Sequence, residues 1–293
     1  LCYSWFLGPR GLPGKRTGKI TESKGHSSVT TFVGVTLIWA AWFCFNSGTL
    51  LSVNARTGYI FLNTILASSF ACVAYAATDK VMTGKYSLKA ACEGTIVGLV
   101  NITPSCGYYW PWAAAVTSII NGVLCRLLID FNKWVGIDDY SVSGVVHGFG
   151  GIIADTLTGI FATKTVAGYD GITEISGGWV DGNFRQIGLQ IAAWCSIVAW
   201  TFVFTMIILF AVDKIPGLHL RATSEAEEMG MDLFEMAETL DEFGNDYEMF
   251  FRENASKLRA ILDHYEDHVE VLEGRSISEG SVSRVHHVNG EKV

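Results

Sequence analysis

Six long apolar segments limit what this chain can fold into more than any other feature of its sequence. They lie near residues 30–50, 59–78, 88–103, 111–129, 143–162 and 186–212. Most are long enough for a helix to cross about 30 Å of hydrocarbon, where the backbone must satisfy its own hydrogen bonds. With 49% hydrophobic and only 17% charged residues, the composition also indicates a polytopic membrane protein. We therefore predict an all-α membrane protein with about six transmembrane helices. The third segment is the weakest, because Glu93 and Asn101 lie in it and Pro104 ends it.

The distribution of basic residues predicts how the spans are oriented. The segment before the first span carries Arg10, Lys15, Arg16, Lys19 and Lys24, and the loop after the second carries Lys80, Lys85 and Lys89. Lys and Arg accumulate in cytoplasmic loops, so both segments should be cytoplasmic. Six crossings then return the tail to the cytoplasm. We predict a cytoplasmic loop at 1–28, a transmembrane domain at 29–215 and a cytoplasmic tail at 216–293. Residues 1–7 within the first segment resemble the last turns of a preceding span.

The tail differs sharply in charge from the rest of the chain. From Arg221 onward, seven Lys and Arg stand against eighteen Asp and Glu, so the tail carries −11 while the remainder carries +3. Apolar residues at helical spacing predict a helix at about 254–273. The Ser-rich stretch after 274 is predicted to be disordered, with serines beside basic residues as candidate phosphorylation sites. The acidity is explained by solubility, and the tail helix is a candidate for docking onto a partner, such as a cytoplasmic regulator or kinase.

His147 is the candidate functional residue that composition singles out, because it lies inside an otherwise uncharged span. In a soluble core such a histidine is usually structural, but ionisable residues in membrane spans usually face a cavity or pathway. A neutral imidazole there can donate a hydrogen bond through one ring nitrogen and accept one through the other. His147 is the only histidine in the middle of a span, which argues against a membrane haem enzyme with paired axial ligands. The seven cysteines are scattered singly, so no metal site and no cofactor are predicted.

Several short motifs occur in order along the chain. The first span ends with Phe45-Asn46-Ser47-Gly48-Thr49 and the second opens with Phe61-Leu62-Asn63-Thr64. The third span contains the run 94–108, in which Gly94 and Gly98 are four residues apart, and Gly144 and Gly148 have the same spacing. Small residues at this spacing let membrane helices pack closely. Gly136-Ile137-Asp138-Asp139 precedes the fifth span, and His147-Gly148-Phe149-Gly150-Gly151 lies in it. Together these motifs resemble the second half of the ammonium transporter family, and its fungal permease branch in particular, over about residues 1–232.

The resemblance implies an eleven-helix fold in which two inverted five-helix repeats meet at a narrow hydrophobic pore, assembled as a homotrimer. This chain would hold the second inverted repeat and the closing helix. His147 would be a pore-lining histidine, Phe45 an aromatic that narrows the pore entrance, and Thr49 a hydroxyl that helps to recruit ammonium. The remaining matches are to structural motif positions, namely Asn46, Gly48, Asn63, Asp138, Asp139 and Gly148.

The function implied by the resemblance is transport of ammonium or ammonia, with methylammonium as a further candidate substrate, across the plasma membrane. No reaction on covalent bonds, bound metal or nucleic-acid partner is expected. Because the other repeat and its histidine are not in this sequence, we expect an N-terminally truncated copy of a full permease. A genuine half-protein that needs a complementary subunit is the alternative. A second alternative is a non-transporting ammonium sensor or scaffold that signals through the tail.

Three residues depart from the pattern of the family. Val142 occupies a position where an aspartate is usual, and Glu93 and Asp155 replace small neutral residues within spans. A carboxylate at the centre of a span costs about 2.5 to 3.5 kcal/mol on insertion scales. We therefore expect a partner or a polar cavity beside each of them. Their role is predicted to be structural, with altered proton handling as the alternative.

Overall fold

The computed structural model describes residues 1–9, 27–218, 220–223, 226–227 and 234, and in these residues it contains helices and no strand. The helices belong to a compact unit, Leu1–Gly230. In chain order they are α1 (Cys2–Leu7), α2 (Ser28–Gly48), α3 (Ala55–Thr83), α4 (Leu88–Ile102), α5 (Pro111–Leu127), α6 (Phe131–Trp134), α7 (Gly150–Phe161), α8 (Lys164–Ala167) and α9 (Arg185–Asp213). A π-helical turn, Gly144–Phe149, runs directly into α7, and 3-10 turns occupy Gly168–Asp170 and Trp179–Asp181.

All six apolar segments are helical, but they are not equally able to cross a membrane. Five helical stretches are long and apolar enough: Ser28–Gly48, Ala55–Thr83, Pro111–Trp134, Gly144–Phe161 and Arg185–Asp213. The exception is α4, the predicted weakest span, whose 15 residues extend only about 22 Å at 1.5 Å per residue. Hydrogen-bonded turns prolong it past Pro104 to Tyr108. The all-helical membrane fold is therefore confirmed, with α4 as a short helix inside the bundle.

The helix ends follow from local side-chain chemistry. The Ser27 hydroxyl accepts a hydrogen bond from the Thr30 amide and begins α2. Asn54 and Thr57 form a capping box at the start of α3, which ends at Gly84 in the left-handed conformation. Pro111 begins α5 in the first helical position, where its missing amide hydrogen costs nothing. These residues fix the boundaries of the helices independently of the packing between them.

Helix α3 lies at the centre of the bundle, packed against α4 and α5, while α7 packs on α4, α5 and α9. The close approach of α3 and α4 depends on Gly94 and Gly98. A Cβ on Gly94 would lie 2.6 Å from Tyr75 Cβ, and one on Gly98 would lie 2.7 Å from Ser68 Cα. This pair is used for helix packing as predicted. In the second pair only Gly144 is closely packed, because its Cβ would collide with the Leu1 side chain, whereas a Cβ on Gly148 would meet no atom within 4 Å among the described residues.

A polar clamp holds the predicted outer end of the bundle together. The Arg56 guanidinium, at the start of α3, donates to the Gly107 carbonyl oxygen and the Asp170 carboxylate, each at 2.8 Å. It also lies over the Tyr108 ring, 4.4 Å from the centroid. Hydrogen bonds from the Thr173 hydroxyl and backbone amide hold the pKa of the Asp170 carboxyl well below its usual range. The turn after α4 is therefore tied both to α3 and to the loop before α9.

Several predictions fall outside the described residues. They concern most of the loop predicted at 1–28, the helix predicted at 254–273 and the disorder predicted after 274. Residues 1–7, expected to be the last turns of a helix, do form the short helix α1, and Phe6 packs edge-on against Phe210 of α9 at 5.1 Å between ring centroids. The proposed domain boundaries remain predictions.

Candidate functional site

His147 lies on a widened turn rather than on a regular α-helix. In the segment Gly144–Phe149 the Gly150 amide donates to the Val145 carbonyl oxygen, five residues earlier. Such π-helical turns are uncommon and frequently occur at functional sites. Residues Gly144–Val146 are buried, whereas His147 and Gly148 are exposed. The turn therefore presents the imidazole on an open face of the bundle. The sequence motif around His147 did not predict this geometry.

The imidazole has no hydrogen-bond partner within the part of the chain that the structure describes. Both ring nitrogens are therefore available to a small polar molecule or to a group outside these residues. This arrangement agrees with the expectation that a histidine in a span faces a cavity or pathway. It does not resemble a satisfied core histidine, which would be buried and bonded on both nitrogens.

Asp139 fixes the beginning of the helix that carries His147. Its Oδ2 atom accepts hydrogen bonds from the Gly144 amide at 2.6 Å and from Asn132 Nδ2 at 2.9 Å. A carboxylate at a helix N-terminus is favoured by the helix dipole. The neighbouring Asp138 interacts electrostatically with Arg221. The Asp138-Asp139 motif thus has a local structural explanation.

Phe45 and Thr49 lie near the end of α2. Phe45 is 55% exposed and its ring centroid lies 5.8 Å from that of Trp42. The Thr49 hydroxyl donates to the Asn46 carbonyl oxygen at 2.7 Å, so its oxygen is left to accept a hydrogen bond. Helix α4 packs against α2, which carries Phe45, and against the widened turn, which carries His147. All three predicted residues are therefore exposed, Phe45 and Thr49 near the end of α2 and His147 on the widened turn.

The two predicted motif asparagines are buried and hold neighbouring helices. Asn46 Nδ2 donates to the Thr64 hydroxyl at 3.1 Å, joining α2 to α3. Asn63 Nδ2 donates to the carbonyl oxygens of Cys106 and Tyr109, each at 2.8 Å, and so supports the turn after α4. A Cβ added to Gly48 or to Gly148 would meet no atom of another part of the described chain within 4 Å. The asparagines therefore act in packing, whereas nothing here explains a glycine at positions 48 and 148.

The three departures from the family pattern have different outcomes. Glu93 has the expected partner, because the buried Tyr75 hydroxyl donates to its Oε2 at 2.8 Å and Lys89 Nζ lies 3.7 Å from Oε1. Val142 adopts φ = 55°, a left-handed conformation that is rare for a β-branched residue. Its carbonyl oxygen accepts from the Val145 and Val146 amides at 3.0 Å and so opens the widened turn. Asp155 is half-buried in α7 and has no hydrogen bond in the described residues.

Replacing Asp155 by alanine is expected to raise the melting temperature of the purified protein in detergent. An unpaired carboxylate in a span costs up to about 3 kcal/mol, which the alanine removes. Glu93→Ala is the matched control and should lower the melting temperature. It leaves the buried Tyr75 hydroxyl without an acceptor, at a cost of about 1 to 3 kcal/mol. A loss of stability in Asp155→Ala would mean that the carboxylate has a partner outside the described residues.

The described residues hold no group of three or more His, Cys, Asp and Glu side chains arranged to bind a metal ion. The arrangement offers hydrogen bonding at His147 and, on α2, an exposed aromatic ring at Phe45.

A known protein family, and several proteins within it, are similar to this chain over most of its length. Residues 1–240 match the model of the Ammonium Transporter Family. The chain is 46% identical over 223 residues to Ammonium transporter 3 of Schizosaccharomyces pombe, covering 76% of this chain and 43% of that protein. It is 35% identical over 241 residues to Ammonium transporter MEP2 of Saccharomyces cerevisiae, covering 81% and 48%. The crystal structure of Candida albicans Mep2 matches with a TM-score of 0.70 at 35% identity, over 76% of this chain and 49% of that chain.

The chain therefore spans about half the length of the curated relatives that it matches. Those relatives are named as transporters and not as enzymes. The family match covers most of the sequence and includes every motif from Phe45 to Gly151. The multi-pass helical architecture agrees with that of the matched crystal structure. On these grounds the chain belongs to the ammonium transporter family.

Proposed function

We propose that this chain takes part in moving ammonium or ammonia across a membrane, with the exposed face of the widened turn before α7 forming part of one wall of the pathway. The observation that carries the proposal is His147. Its imidazole stands on a widened turn, on an exposed face, with no hydrogen-bond partner in the described residues. The face needs a second wall, which in a complete transporter of the eleven-helix type would be the other repeat.

The chemistry of the substrate explains why a neutral imidazole suits this position. A full ammonium charge is very costly to place in a hydrophobic pore, whereas ammonia needs only one or two hydrogen-bond partners. An imidazole supplies a donor and an acceptor in one side chain. The proposal is therefore that the cation is recruited outside the pore and gives up its proton to water there, and that the neutral ammonia molecule passes His147.

Recruitment is proposed for the end of α2. Ammonium has four N–H donors, and the Thr49 oxygen remains free to accept one of them because its own hydrogen is given to the Asn46 carbonyl oxygen. The exposed Phe45 ring could hold the cation at the entrance by cation-π attraction worth about 0.5 to 2 kcal/mol. Methylammonium would be accepted if this entrance tolerates one methyl group.

The assembly and location are part of the same proposal. The apolar helices α2 and α9 are exposed along almost their whole length, and apolar surface of this kind must be covered by lipid or protein. A homotrimer in the plasma membrane, with the acidic tail in the cytoplasm, would cover it. The tail is then placed to meet a cytoplasmic regulator or kinase.

Growth of a yeast strain without its own ammonium permeases, on low ammonium as sole nitrogen source, tests the proposal. The full chain is compared alone and fused behind the first half of a related permease, each with His147 or with His147→Ala. We expect growth with the fused protein, because it supplies both walls of the pathway. His147→Ala should lower or abolish that growth. Cys195→Ala, a change of an exposed residue in α9, is the matched control and should grow normally.

The result that would contradict a role in transport is absence of growth with every version, although the fused protein reaches the plasma membrane in normal amounts. Such a protein, if it still triggered an ammonium-dependent response through its tail, would be a sensor or scaffold. Unchanged growth with His147→Ala would instead remove His147 from the pathway while leaving the transport function in place.

A further inference from the structure

A buried polar network lies directly behind the turn that presents His147. Asn121 of α5 donates through Nδ2 to the Gly150 carbonyl oxygen at 2.9 Å and to Asn101 Oδ1 at 3.0 Å. Asn101 of α4 in turn donates to the hydroxyls of Thr117 and Ser118, both at 3.0 Å. Both asparagines are at most 1% exposed. The network thus joins three helices and ends on the backbone of α7.

A second contact from α5 reaches the other end of the same turn. The Cys125 thiol lies 3.2 Å from Asn121 Oδ1 and 4.0 Å from the Val145 carbonyl oxygen. Val145 and Gly150 are the two residues whose backbone hydrogen bond closes the widened turn around His147. Side chains of α5 therefore contact the main chain on both sides of the histidine.

The cost of this network indicates that it has a specific role. An amide in a membrane interior is unfavourable unless its groups are hydrogen-bonded, and apolar side chains would join three helices without that requirement. Here both Nδ2 hydrogens of Asn121 and both of Asn101 are used. Fully satisfied buried networks fix one arrangement of the elements they connect. The arrangement fixed here is the junction where the π-helical turn becomes the α-helix.

We infer that Asn121, held by Asn101, is the positioning residue that keeps this turn widened and thereby directs His147 to the exposed face. A π-helical turn holds one residue more than a regular turn. If it relaxed to an α-helix, the residues before it would rotate by about 100° relative to α7. His147, inside the turn, would take part in that rotation, and its imidazole would move away from the open face. The consequence for transport rests on the proposed function, whereas the effect on the turn does not.

Hydrogen–deuterium exchange of the purified full chain in detergent tests the effect on the turn. Asn121→Leu keeps the approximate size and removes both donors. Amide exchange in peptides covering 145–151 should rise about tenfold, since the loss of a buried hydrogen bond changes local opening by that order. Peptides of α9 should exchange as before. Ser118→Ala is the matched control, because Asn101 keeps Thr117 and Asn121 as partners, and it should leave exchange at 145–151 unchanged.

If the network only holds the helices together, Asn121→Leu should give a different pattern, in which amide exchange rises along α4, α5 and α7 alike. That result, or unchanged exchange at 145–151, would overturn the inference. If Asn121→Leu does not accumulate as folded protein, Asn101→Ser replaces it. The serine frees Asn121 to turn away from Gly150 without adding bulk, and the same rise at 145–151 is then expected.

Uptake by the fused protein separates this inference from the proposed function. Asn121→Leu should lower the maximal rate about tenfold with little change in the half-saturating ammonium concentration, because the entrance on α2 is untouched. Faster exchange at 145–151 without measurable uptake by any version would support the positioning role and contradict the transport role. Unchanged maximal uptake, with the turn shown to open, would contradict the link from the turn to His147.

Discussion

Replacing Gly98 by valine is expected to destabilise the protein by about 3 kcal/mol, because helices α3 and α4 are in contact at this residue. A Cβ built on Gly98 would collide with the Ala67 carbonyl oxygen and lie 2.7 Å from Ser68 Cα. Both are backbone atoms of α3, so no side-chain rotation can make room. The two helices must move apart, and the polar contacts at their ends, such as that of Asn63 with Cys106, would lengthen with them.

The measurement is the melting temperature of the purified protein in detergent, followed by tryptophan fluorescence. Gly58→Val is the matched control. Gly58 also lies in α3, and a Cβ added to it would meet no atom within 4 Å among the described residues, so valine there carries only the modest cost of a β-branched residue in a helix. Equal melting temperatures for the two variants would show that α3 and α4 are less closely packed than the structure has them.

Local sequence patterns were sufficient to predict where the helices lie but not how they are joined. The apolar segments predict where the helices lie. The exact helix ends are explained by Ser27, Asn54 and Gly84, because each of these residues acts on the backbone within a few residues of its own position. The partner of Glu93 is Tyr75, on another helix and eighteen residues away. That pairing depends on the contact between α3 and α4 and could not be read from spacing.

The site shows the same division between local and tertiary causes. The resemblance identifies the candidate residues His147, Phe45 and Thr49. An isolated histidine in an apolar span indicates a functional residue even without the resemblance. The widened turn could not be predicted, because a π-helical and an α-helical turn differ little in local sequence preference. What distinguishes them here is Asn121, which reaches the turn from α5. In the sequence, the signal for this contact is the polar character of Asn121 inside an apolar span.

A second large effect is expected from the buried ion pair between α3 and α5. Arg126 donates through Nε to Asp79 Oδ1 at 2.7 Å, and its Nη2 lies 2.7 Å from the same oxygen. Each side chain is only 10% exposed. Asp79→Leu should therefore destabilise the protein by about 3 to 5 kcal/mol, because it leaves a guanidinium charge buried without its partner. The control pair is Asp130 with Lys133, whose side chains are 47% and 49% exposed. Asp130→Asn should cost less than about 1 kcal/mol.

The double variant Asp79→Leu with Arg126→Met separates the cost of an unpaired charge from the value of the pair. Within the described residues Arg126 Nη1 is buried without a hydrogen-bond partner, so the pair is not fully satisfied even when intact. Replacement of both residues by apolar side chains of similar size is often neutral or stabilising in such cases. We therefore expect the melting temperature of the double variant to return close to that of the unchanged protein. A double variant as unstable as Asp79→Leu would instead show that the pair itself stabilises the contact of α3 with α5, beyond the avoidance of a buried charge.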